Sequence, residues 1–204
     1  RYLFVKEGRS GVISVSTYDN TTLLLKKDNL TEAAIKNADE FSWGTETLLG
    51  FLPYFFVDNP ERAFIVGLGA GTTLSAVAIT QLKHVDVVEM DPVIREASNY
   101  MYPNGLAALS NPKVHYYSDD ARHRLLLQNE AYDVIISQPS HPWLSGAAHL
   151  FTQEYFEIVN ASLSDKGVYS QWLNLYNLDA TTLKSILKAM YSVFPYGITF
   201  KMQQ

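Results

Sequence analysis

The sequence predicts an α/β fold, with a doubly wound and mostly parallel sheet that follows a small N-terminal β-hairpin lobe. From residue 60 onward, short and almost continuously apolar runs alternate with segments of helical period. This pattern is typical of parallel strands that are covered on both faces. Before residue 40, two β-rich runs are separated only by a turn, which is typical of a hairpin. The predicted domains are therefore residues 1–40 and 41–204.

The elements follow in order. The hairpin is predicted for Gly11–Tyr18 and Thr21–Lys27, and a helix from Thr45 is bent or ended by Pro53. The predicted strands of the sheet are Ala63–Val66, Val85–Glu89, Val114–Tyr117, Tyr132–Ser137 and Gly167–Gln171, with a final strand-like run at Ile198–Met202. The predicted helices are Thr72–Leu82, Pro92–Met101, Ala121–Gln128, Thr152–Leu163 and Asp179–Val193. Such sheets bind ligands at the carboxyl ends of their strands, so we expect the site in the loops that follow them.

The composition limits the classes of function. The chain has 204 residues and no cysteine, and 16 basic against 21 acidic residues give a net charge of −5. This balance argues against a nucleic-acid coat or a polybasic membrane anchor. The absence of cysteine excludes disulfides, thiolate metal sites and a cysteine nucleophile, and no histidine spacing predicts a metal site. No apolar run approaches the roughly 20 residues that span a bilayer.

Both ends of the chain are typical of a segment taken from a longer protein. The sequence starts at Arg1 and stops at Gln204, directly after a strand-like run. We therefore expect a domain that is truncated at its C-terminus.

A glycine-rich turn follows the first strand of the predicted sheet. In Gly67-Leu68-Gly69-Ala70-Gly71, the glycines let the backbone pass close to a ligand, and the helix that follows offers unpaired N–H groups. The third glycine comes one residue earlier than in the dinucleotide motif G-x-G-x-x-G. The turn favours a nucleoside site, and the alternative is a tight strand-to-helix connection.

Carboxylates follow the next two strands. Glu89 stands 22 residues after the first glycine of the turn, where it can accept hydrogen bonds from both hydroxyls of a ribose. Asp91 competes for this role, and we interpret it as the N-cap of the helix that starts at Pro92. Of Asp119 and Asp120, we favour Asp120 for the amino group of an adenine. The alternative is that both carboxylates are caps.

These three elements resemble the nucleoside pocket of class I S-adenosylmethionine-dependent transferases, and the fourth strand narrows the resemblance. The stretch Tyr132–Trp143 and the helix around Phe151-Thr152-Gln153-Glu154 resemble the spermidine synthase (polyamine aminopropyltransferase) family. In that family the strand ends in D-S-S-D-P before an L-F-T-x-E-F-Y helix. The likeness is closest to spermidine-synthase-like domains fused to membrane segments in some bacterial proteins, which share a Q-W-L strand end like Gln171-Trp172-Leu173.

The resemblance implies a Rossmann-like fold of the class I methyltransferase type and a pocket for S-adenosylmethionine or decarboxylated S-adenosylmethionine as co-substrate. Gly67, Gly69, Gly71, Glu89 and Asp120 carry over as nucleoside contacts. The expected partner is a small-molecule amine, with no nucleic acid and no metal, and a homodimer is implied by the family's usual pairing. The expected location is the cytoplasm, as a free protein or as the cytoplasmic domain of a membrane protein, and this segment is not expected to be membrane-embedded.

The family's catalytic residues are replaced in this sequence. The aspartate that helps to deprotonate the attacking amine falls on Gln138, and a second aspartate falls on His141. Gln138 can orient an amine but cannot usefully accept its proton, whereas a histidine with an ordinary pKa of about 6.5 can. The alternative for His141 is a loop histidine bonded to the backbone. The aspartate of the glycine turn, which holds the aminopropyl ammonium, is Ala70 here.

Further candidates lie around this site. A tyrosine of the family's site falls on Thr45, and the neighbouring Glu46 is a candidate for the missing carboxylate, with a solvated position as the alternative. Aromatic residues after the strand ends are candidates for a wall that holds a cation or a flat ring, with rim packing as the alternative: Trp143, Trp172 and Tyr176.

Three functions follow from this pattern. The leading one is aminopropyl transfer from decarboxylated S-adenosylmethionine to an amine such as putrescine, with Gln138 and His141 as the candidate catalytic residues. The second is methyl transfer from S-adenosylmethionine, which Ala70 favours. The third is a non-catalytic domain that binds a nucleoside or a polyamine. Because carboxylates are lost at all three of these positions, we interpret the net charge as support for solubility rather than for a polyamine site.

Overall fold

The structure, a computed structural model, describes residues 1–19, 21–36, 44–101, 107–139, 141–144, 146–176 and 178–201. Its strands are β1 (Tyr2–Gly8), β2 (Gly11–Thr17), β3 (Thr22–Lys27), β4 (Leu30–Lys36), β5 (Arg62–Val66), β6 (His84–Val88), β7 (Val114–Tyr117), β8 (Tyr132–Ser137) and β9 (Leu163–Gln171). Its α-helices are α1 (Thr45–Phe51), α2 (Thr72–Ala78), α3 (Pro92–Met101), α4 (Ala121–Leu126), α5 (Gln153–Ser162) and α6 (Ala180–Val193), and 3-10 turns cover Leu52–Phe56 and Ala148–Phe151.

The predicted parallel sheet is confirmed. Its strand order is β7-β6-β5-β8-β9, and every neighbouring pair is parallel. The chain moves outward from β5 to β7 and then returns to place β8 on the other side of β5. The switch point of the sheet therefore lies between β5 and β8, where loops diverge and leave room for a ligand. Val66 pairs with Val88 on one side and with Ser137 on the other, so the residues that follow these three strands lie side by side.

Apolar layers cover both faces of the sheet. On one face, Phe64 and Ile135 pack against α5, which buries Tyr155, Phe156 and Val159 completely. The opposite face packs against α2, α3 and the N-terminal strands: its central members are Ile65, Val87, Ile136, Leu74 and Ala97. Burial of each large side chain contributes about 1.5–3 kcal/mol, so these layers hold the strand ends in fixed positions.

The N-terminal lobe is a four-stranded antiparallel meander, β1-β2-β3-β4, which we call the β-lobe. The sequence predicted its central hairpin and missed β1 and β4. Strand β1 has no clear alternation of apolar and polar residues in its sequence. Its apolar side chains Tyr2 and Val5 are about 60% exposed. Ile13 and Leu25, by contrast, are fully buried in the core of the main sheet's α3 face, which fixes the β-lobe to the rest of the molecule. The predicted domain boundary near residue 40 lies outside the described residues.

Most predicted elements have the predicted position, and three differ. Helix α2 ends at Ala78 instead of Leu82, because the N–H and hydroxyl of Thr80 both return to the carbonyl of Val77 and form a turn. Strand β9 starts at Leu163, four residues earlier than predicted. The predicted strand at Ile198–Met202 is wrong for residues 198–201, which form no strand and whose apolar side chains are more than half exposed; Met202 lies outside the described residues. Within the described ranges, no helix has the length and apolar character needed to cross a membrane.

A buried polar network lies between β6 and β8. The Tyr132 hydroxyl donates to Asp86 at 2.6 Å, and the other Asp86 oxygen lies 2.9 Å from the ring nitrogen Nε2 of His84. Asp86 is 1% exposed, and burial together with this carboxylate raises the pKa of Tyr132. The hydroxyl therefore stays a donor throughout the neutral pH range.

The Tyr132→Phe variant is expected to lose about 2 kcal/mol of unfolding free energy, because it leaves a buried carboxylate oxygen without its donor. Urea unfolding at neutral pH measures this loss. Tyr18→Phe removes a hydroxyl from a side chain that is 85% exposed and should change nothing. A loss below about 0.5 kcal/mol for Tyr132→Phe would show that the network contributes little.

Candidate functional site

A cleft with a cavity of about 170 Å³ separates the β-lobe from the carboxyl ends of the sheet strands. The residues that line it from the sheet side include Gly67, Gly69, Glu89, Asp120, Gln138, His141 and Trp172. The β-lobe contributes Ser10, Leu25, Lys27 and Glu32. Four of the five predicted nucleoside contacts and both predicted catalytic residues thus meet in one cleft. The fifth predicted contact, Gly71, is the buried N-cap of α2.

The glycine turn between β5 and α2 is both a tight connection and one wall of the cleft. Gly69 has a φ of +52°, and a Cβ atom added there would lie 2.4 Å from Nε2 of Gln138. Only glycine therefore lets the Gln138 amide rest on the turn. The N–H of Gly71 donates to the carbonyl of Leu68 at 2.9 Å and closes the turn.

Glu89 is fixed by the backbone on both of its carboxylate oxygens. One oxygen accepts from the N–H of Leu68 at 3.0 Å, and the other accepts from the N–H of Asp91 at 3.0 Å. Burial raises the pKa of Glu89, although these donors and the N–H of Gly69 act to lower it. Each carboxylate oxygen can accept a second hydrogen bond, so the pair keeps the capacity to bind a vicinal diol.

Asp91 has the predicted capping role and a second one. Its Oδ1 accepts from the N–H of Val93 at 3.0 Å, which caps α3. Its Oδ2 accepts from the N–H and the hydroxyl of Ser10 at 3.2 and 3.1 Å. Asp91 therefore ties the turn between β1 and β2 to the main sheet.

Of the two carboxylates after β7, Asp120 caps the helix that follows. Asp120, which the sequence favours for the adenine, is the N-cap of α4, because its Oδ1 accepts from the N–H of His123 at 3.0 Å. Its Oδ2 lies 3.5 Å from Nε2 of His149. Asp119 lies 3.0 Å from Nδ1 of His123. Burial acts to raise the pKa of Asp119, but the hydrogen bonds with His123 and with the N–H of Asp120 lower it below its ordinary value. A contact of Asp120 with adenine would thus use the oxygen that does not cap the helix.

Gln138 and His141 approach the cleft from the end of β8. The N–H of Gln138 continues the strand pairing by donating to Val66 at 3.0 Å, and its side-chain Oε1 is buried with no hydrogen-bond partner in the described part of the chain. His141 is 7% exposed, and its ring meets Trp143 edge-on at 5.0 Å. Burial lowers the pKa of His141, so its ring is neutral at pH 7.

The β-lobe supplies residues that sequence reasoning missed. Oε2 of Glu32, on β4, lies 3.7 Å from Nδ1 of His141, and Lys27 on β3 faces the same cavity. Burial raises the pKa of Glu32, and the charge of Lys27 opposes this shift. In the sequence, Glu32 is a carboxylate within a short β-like run. It becomes a candidate for the cleft only once β4 is recognised as a strand.

Of the remaining candidates, only Trp172 lines the cleft. Glu46, near the start of α1, lines a second cavity together with Lys36 and Asn111, where burial raises its pKa. Of the predicted aromatic wall, Trp172 lines the cleft, whereas Trp143 packs on His141 and Tyr176 is 58% exposed.

The charge of the cleft corrects the interpretation of the net charge. Five of the 21 acidic residues line it: Glu32, Glu89, Asp91, Asp119 and Asp120. Against these five carboxylates, the lining residues include one lysine, Lys27. The site is thus acidic even though carboxylates are absent at positions 70, 138 and 141, and its field favours cationic ligands. In the described ranges, no group of three or more His, Asp or Glu side chains has a geometry that could hold a metal ion.

The fold matches that of solved spermidine synthases. A spermidine synthase in complex with the transition-state analogue AdoDATO superposes with a TM-score of 0.85 at 22% identity, over 96% of this chain and 66% of that one. A spermidine synthase from Thermotoga maritima superposes with a TM-score of 0.82 at 22% identity, over 96% and 65%. A sequence profile described as the spermine/spermidine synthase domain matches residues 44–202. The chain belongs to the spermine/spermidine synthase family.

Two curated relatives cover most of this chain at 26–29% identity. Spermidine synthase from Dictyostelium discoideum is 29% identical over 79% of this chain and 57% of its own length. Putrescine N-methyltransferase 2 from Nicotiana attenuata is 26% identical over 95% of this chain and 52% of its own length. The chain thus spans between half and three fifths of these relatives, which are named as a spermidine synthase and an N-methyltransferase.

Proposed function

We propose that the chain binds a sulfonium nucleoside in the cleft and transfers the aminopropyl group of decarboxylated S-adenosylmethionine to an amine. The observation that carries this proposal is the meeting of the glycine turn, Glu89 and Asp120 with Gln138 in one acidic cleft at the switch point of the sheet. Membership of the spermine/spermidine synthase family supports the same reaction class.

The nucleoside end of the proposed ligand lies toward β6 and β7. Glu89 would accept from the two ribose hydroxyls, and Oδ2 of Asp120, which does not cap α4 and lies 3.5 Å from Nε2 of His149, would accept from the adenine amino group. Backbone N–H groups hold Glu89 before the ligand arrives, so little conformational entropy is lost on binding. The sulfonium then lies toward Gln138, at the mouth of the glycine turn.

The transfer itself needs positioning more than covalent chemistry. A neutral amine attacks the carbon beside the sulfonium, and alignment of the two within van der Waals distance supplies most of the rate. The carbonyl oxygen of Gln138 is buried without a partner, so it is suited to accept a hydrogen bond from the attacking nitrogen. The carboxylates of the cleft stabilise both cationic reactants.

Calorimetric titration with three nucleosides tests the proposal: S-adenosylmethionine, its decarboxylated form and methylthioadenosine. Tightest binding of the decarboxylated compound, with formation of spermidine and methylthioadenosine once putrescine is added, is the expected result. Binding without any turnover on amines would contradict transfer and leave a non-catalytic binding domain. Absence of binding for all three nucleosides would contradict the proposed site.

Methyl transfer from S-adenosylmethionine is the second candidate, and Ala70 is the observation that favours it. Ala70 is 3% exposed and belongs to the apolar core, so the glycine turn offers no carboxylate to an aminopropyl ammonium. The putrescine N-methyltransferases among the relatives align over 95% of this chain. Formation of an N-methylated amine and S-adenosylhomocysteine would support this candidate and displace the first.

The Gln138→Asp variant is expected to raise kcat with putrescine about tenfold, because a carboxylate at this strand end can accept the proton of the amine. Steady-state kinetics at pH 7.5 measure the change. Gln153→Glu introduces the same kind of charge on the exposed face of α5, outside the cleft, and serves as the control. An unchanged kcat in Gln138→Asp would mean that proton acceptance is already supplied elsewhere in the site or does not limit the rate.

A further inference from the structure

We infer that Glu32 and His141 together accept the proton of the attacking amine. The inference rests on the proposed transfer function. It assigns the base to a pair formed between the β-lobe and the loop after β8, because the side chain at the end of β8 itself, Gln138, is an amide and cannot take up a proton at neutral pH.

The geometry brings the two groups together from distant parts of the chain. Glu32 lies on β4 and His141 lies 109 residues later, yet Oε2 of the glutamate and Nδ1 of the imidazole are 3.7 Å apart. The side chains are 25% and 8% exposed, respectively, and both line the cleft that contains Gln138. The pair is therefore largely shielded from solvent and lies in the same cleft as Gln138.

The other carboxylates of the cleft are already engaged by the fold. Glu89 and Asp91 accept backbone N–H groups on the glycine turn and on α3. Asp120 caps α4, and Asp119 contacts the ring of His123. Protonation of any of these four would weaken a structural hydrogen bond, whereas Glu32 contacts a second proton acceptor.

The electrostatics of the pair suit transient proton uptake. Burial lowers the pKa of His141, so its ring is neutral before the reaction, and burial raises the pKa of Glu32. A carboxylate 3.7 Å away stabilises the imidazolium once it forms. The other charged or titratable groups that line the cleft with the pair are Lys27, Glu89, Asp91, Asp119, Asp120 and His149.

The reaction balances with this pair as base. The substrate ammonium gives one proton to the pair and becomes a neutral amine. Its lone pair forms the new C–N bond while the electrons of the C–S bond pass to the sulfonium sulfur. The products are a neutral thioether nucleoside, a secondary ammonium and the protonated pair, which returns its proton to solvent.

The test compares Glu32→Gln and His141→Asn with Glu7→Gln, an exposed glutamate on β1 of the same β-lobe. With saturating putrescine and decarboxylated S-adenosylmethionine at pH 7, the first two variants are expected to lose at least tenfold in kcat. Binding of methylthioadenosine should change less than twofold. The loss should shrink as the pH rises toward the pKa of the free amine, because the substrate then arrives deprotonated.

Rescue gives a readout that a merely structural role would not move. Gln138→Asp should raise kcat by a larger factor in Glu32→Gln than the roughly tenfold expected in the wild type, because a carboxylate at the end of β8 then replaces the one lost from β4. Histidine NMR titration should show a lower pKa for His141 in Glu32→Gln than in the wild type. Equal loss at every pH, no rescue, or an unchanged His141 titration would each overturn the pair as the proton acceptor.

The failure of this inference is distinguishable from the failure of the proposed function. If the wild type forms an alkylated amine and Glu32→Gln forms it equally fast, the transfer function stands and the pair is wrong. If the wild type forms no such product although the nucleoside binds, the transfer function is wrong and the pair falls with it.

Discussion

Replacing Glu89 with glutamine is expected to weaken binding of the adenosyl nucleoside by about a hundredfold. The carboxylate is held by the N–H groups of Leu68 and Asp91, and its remaining acceptor capacity faces the cleft. Glutamine keeps one acceptor oxygen but places an NH₂ group against a backbone N–H or a ribose hydroxyl. Hydrogen bonds to charged groups contribute about 1.5–3 kcal/mol each, and about 2.7 kcal/mol corresponds to a hundredfold change in affinity.

Calorimetry with methylthioadenosine measures the loss, and Glu96→Gln is the matched control because this glutamate of α3 lies on the surface in an ion pair with Lys6. The pH dependence is a second check. Because burial raises the pKa of Glu89, affinity should fall as the pH is lowered, starting above the ordinary glutamate pKa of about 4.3. The Glu89→Gln variant should not show this fall in affinity at low pH. A loss below threefold would contradict the ribose contact.

Replacing Gly69 with alanine is expected to weaken nucleoside binding by about thirtyfold, because the new methyl group would displace the Gln138 amide. The added Cβ would lie 2.4 Å from Nε2 of Gln138, which is the free end of a flexible side chain. We therefore expect the amide to move into the cleft while the backbone of the turn keeps its position. A displacement that costs about 2 kcal/mol of binding free energy corresponds to roughly thirtyfold in affinity.

Gly67→Ala separates this steric effect from backbone strain. Both glycines have positive φ, at +86° and +52°, so either alanine should cost about 1–2 kcal/mol of stability. A Cβ at Gly67 would meet Pro139 at 3.5 Å, an ordinary contact. Thermal unfolding should therefore show similar losses for the two variants, whereas calorimetry should show the larger loss of affinity for Gly69→Ala. Equal losses of affinity would contradict a role for the amide position.

The elements that the sequence predicts well are those whose signals are local. Helix α3 has the predicted bounds. Its start is marked by Asp91 and Pro92, an N-cap followed by a first-turn proline, and the Asp91 side chain makes the expected hydrogen bond. Strand β8 is a continuous apolar run in the middle of the sheet, and it also has the predicted bounds. Strands β1 and β4 escaped prediction because they are held by pairing with β2 and β3, and their own sequences carry little alternation.

The residues of the site also differ in whether local sequence signals reveal them. The glycine turn and Glu89 are recognisable because strand, turn and helix follow one another in the chain. The contact between Glu32 and His141 arises only when the β-lobe folds over the sheet, and no spacing in the sequence announces it. Helix α4 starts at Ala121, as predicted, and this start makes Asp120 rather than Asp119 its N-cap. Periodicity does not show which of two adjacent carboxylates a ligand would contact, because that depends on how each side chain is oriented.

A single reaction mixture tests the central claim most directly. The chain is incubated with putrescine and equal concentrations of S-adenosylmethionine and its decarboxylated form, and all products are quantified by mass spectrometry. We expect spermidine and methylthioadenosine in a one-to-one ratio, at a rate proportional to the protein concentration. At subsaturating nucleoside, this rate should be about a hundredfold lower in Glu89→Gln. N-Methylputrescine with S-adenosylhomocysteine would assign methyl transfer instead, and the absence of both product pairs would contradict a group-transfer function for this cleft.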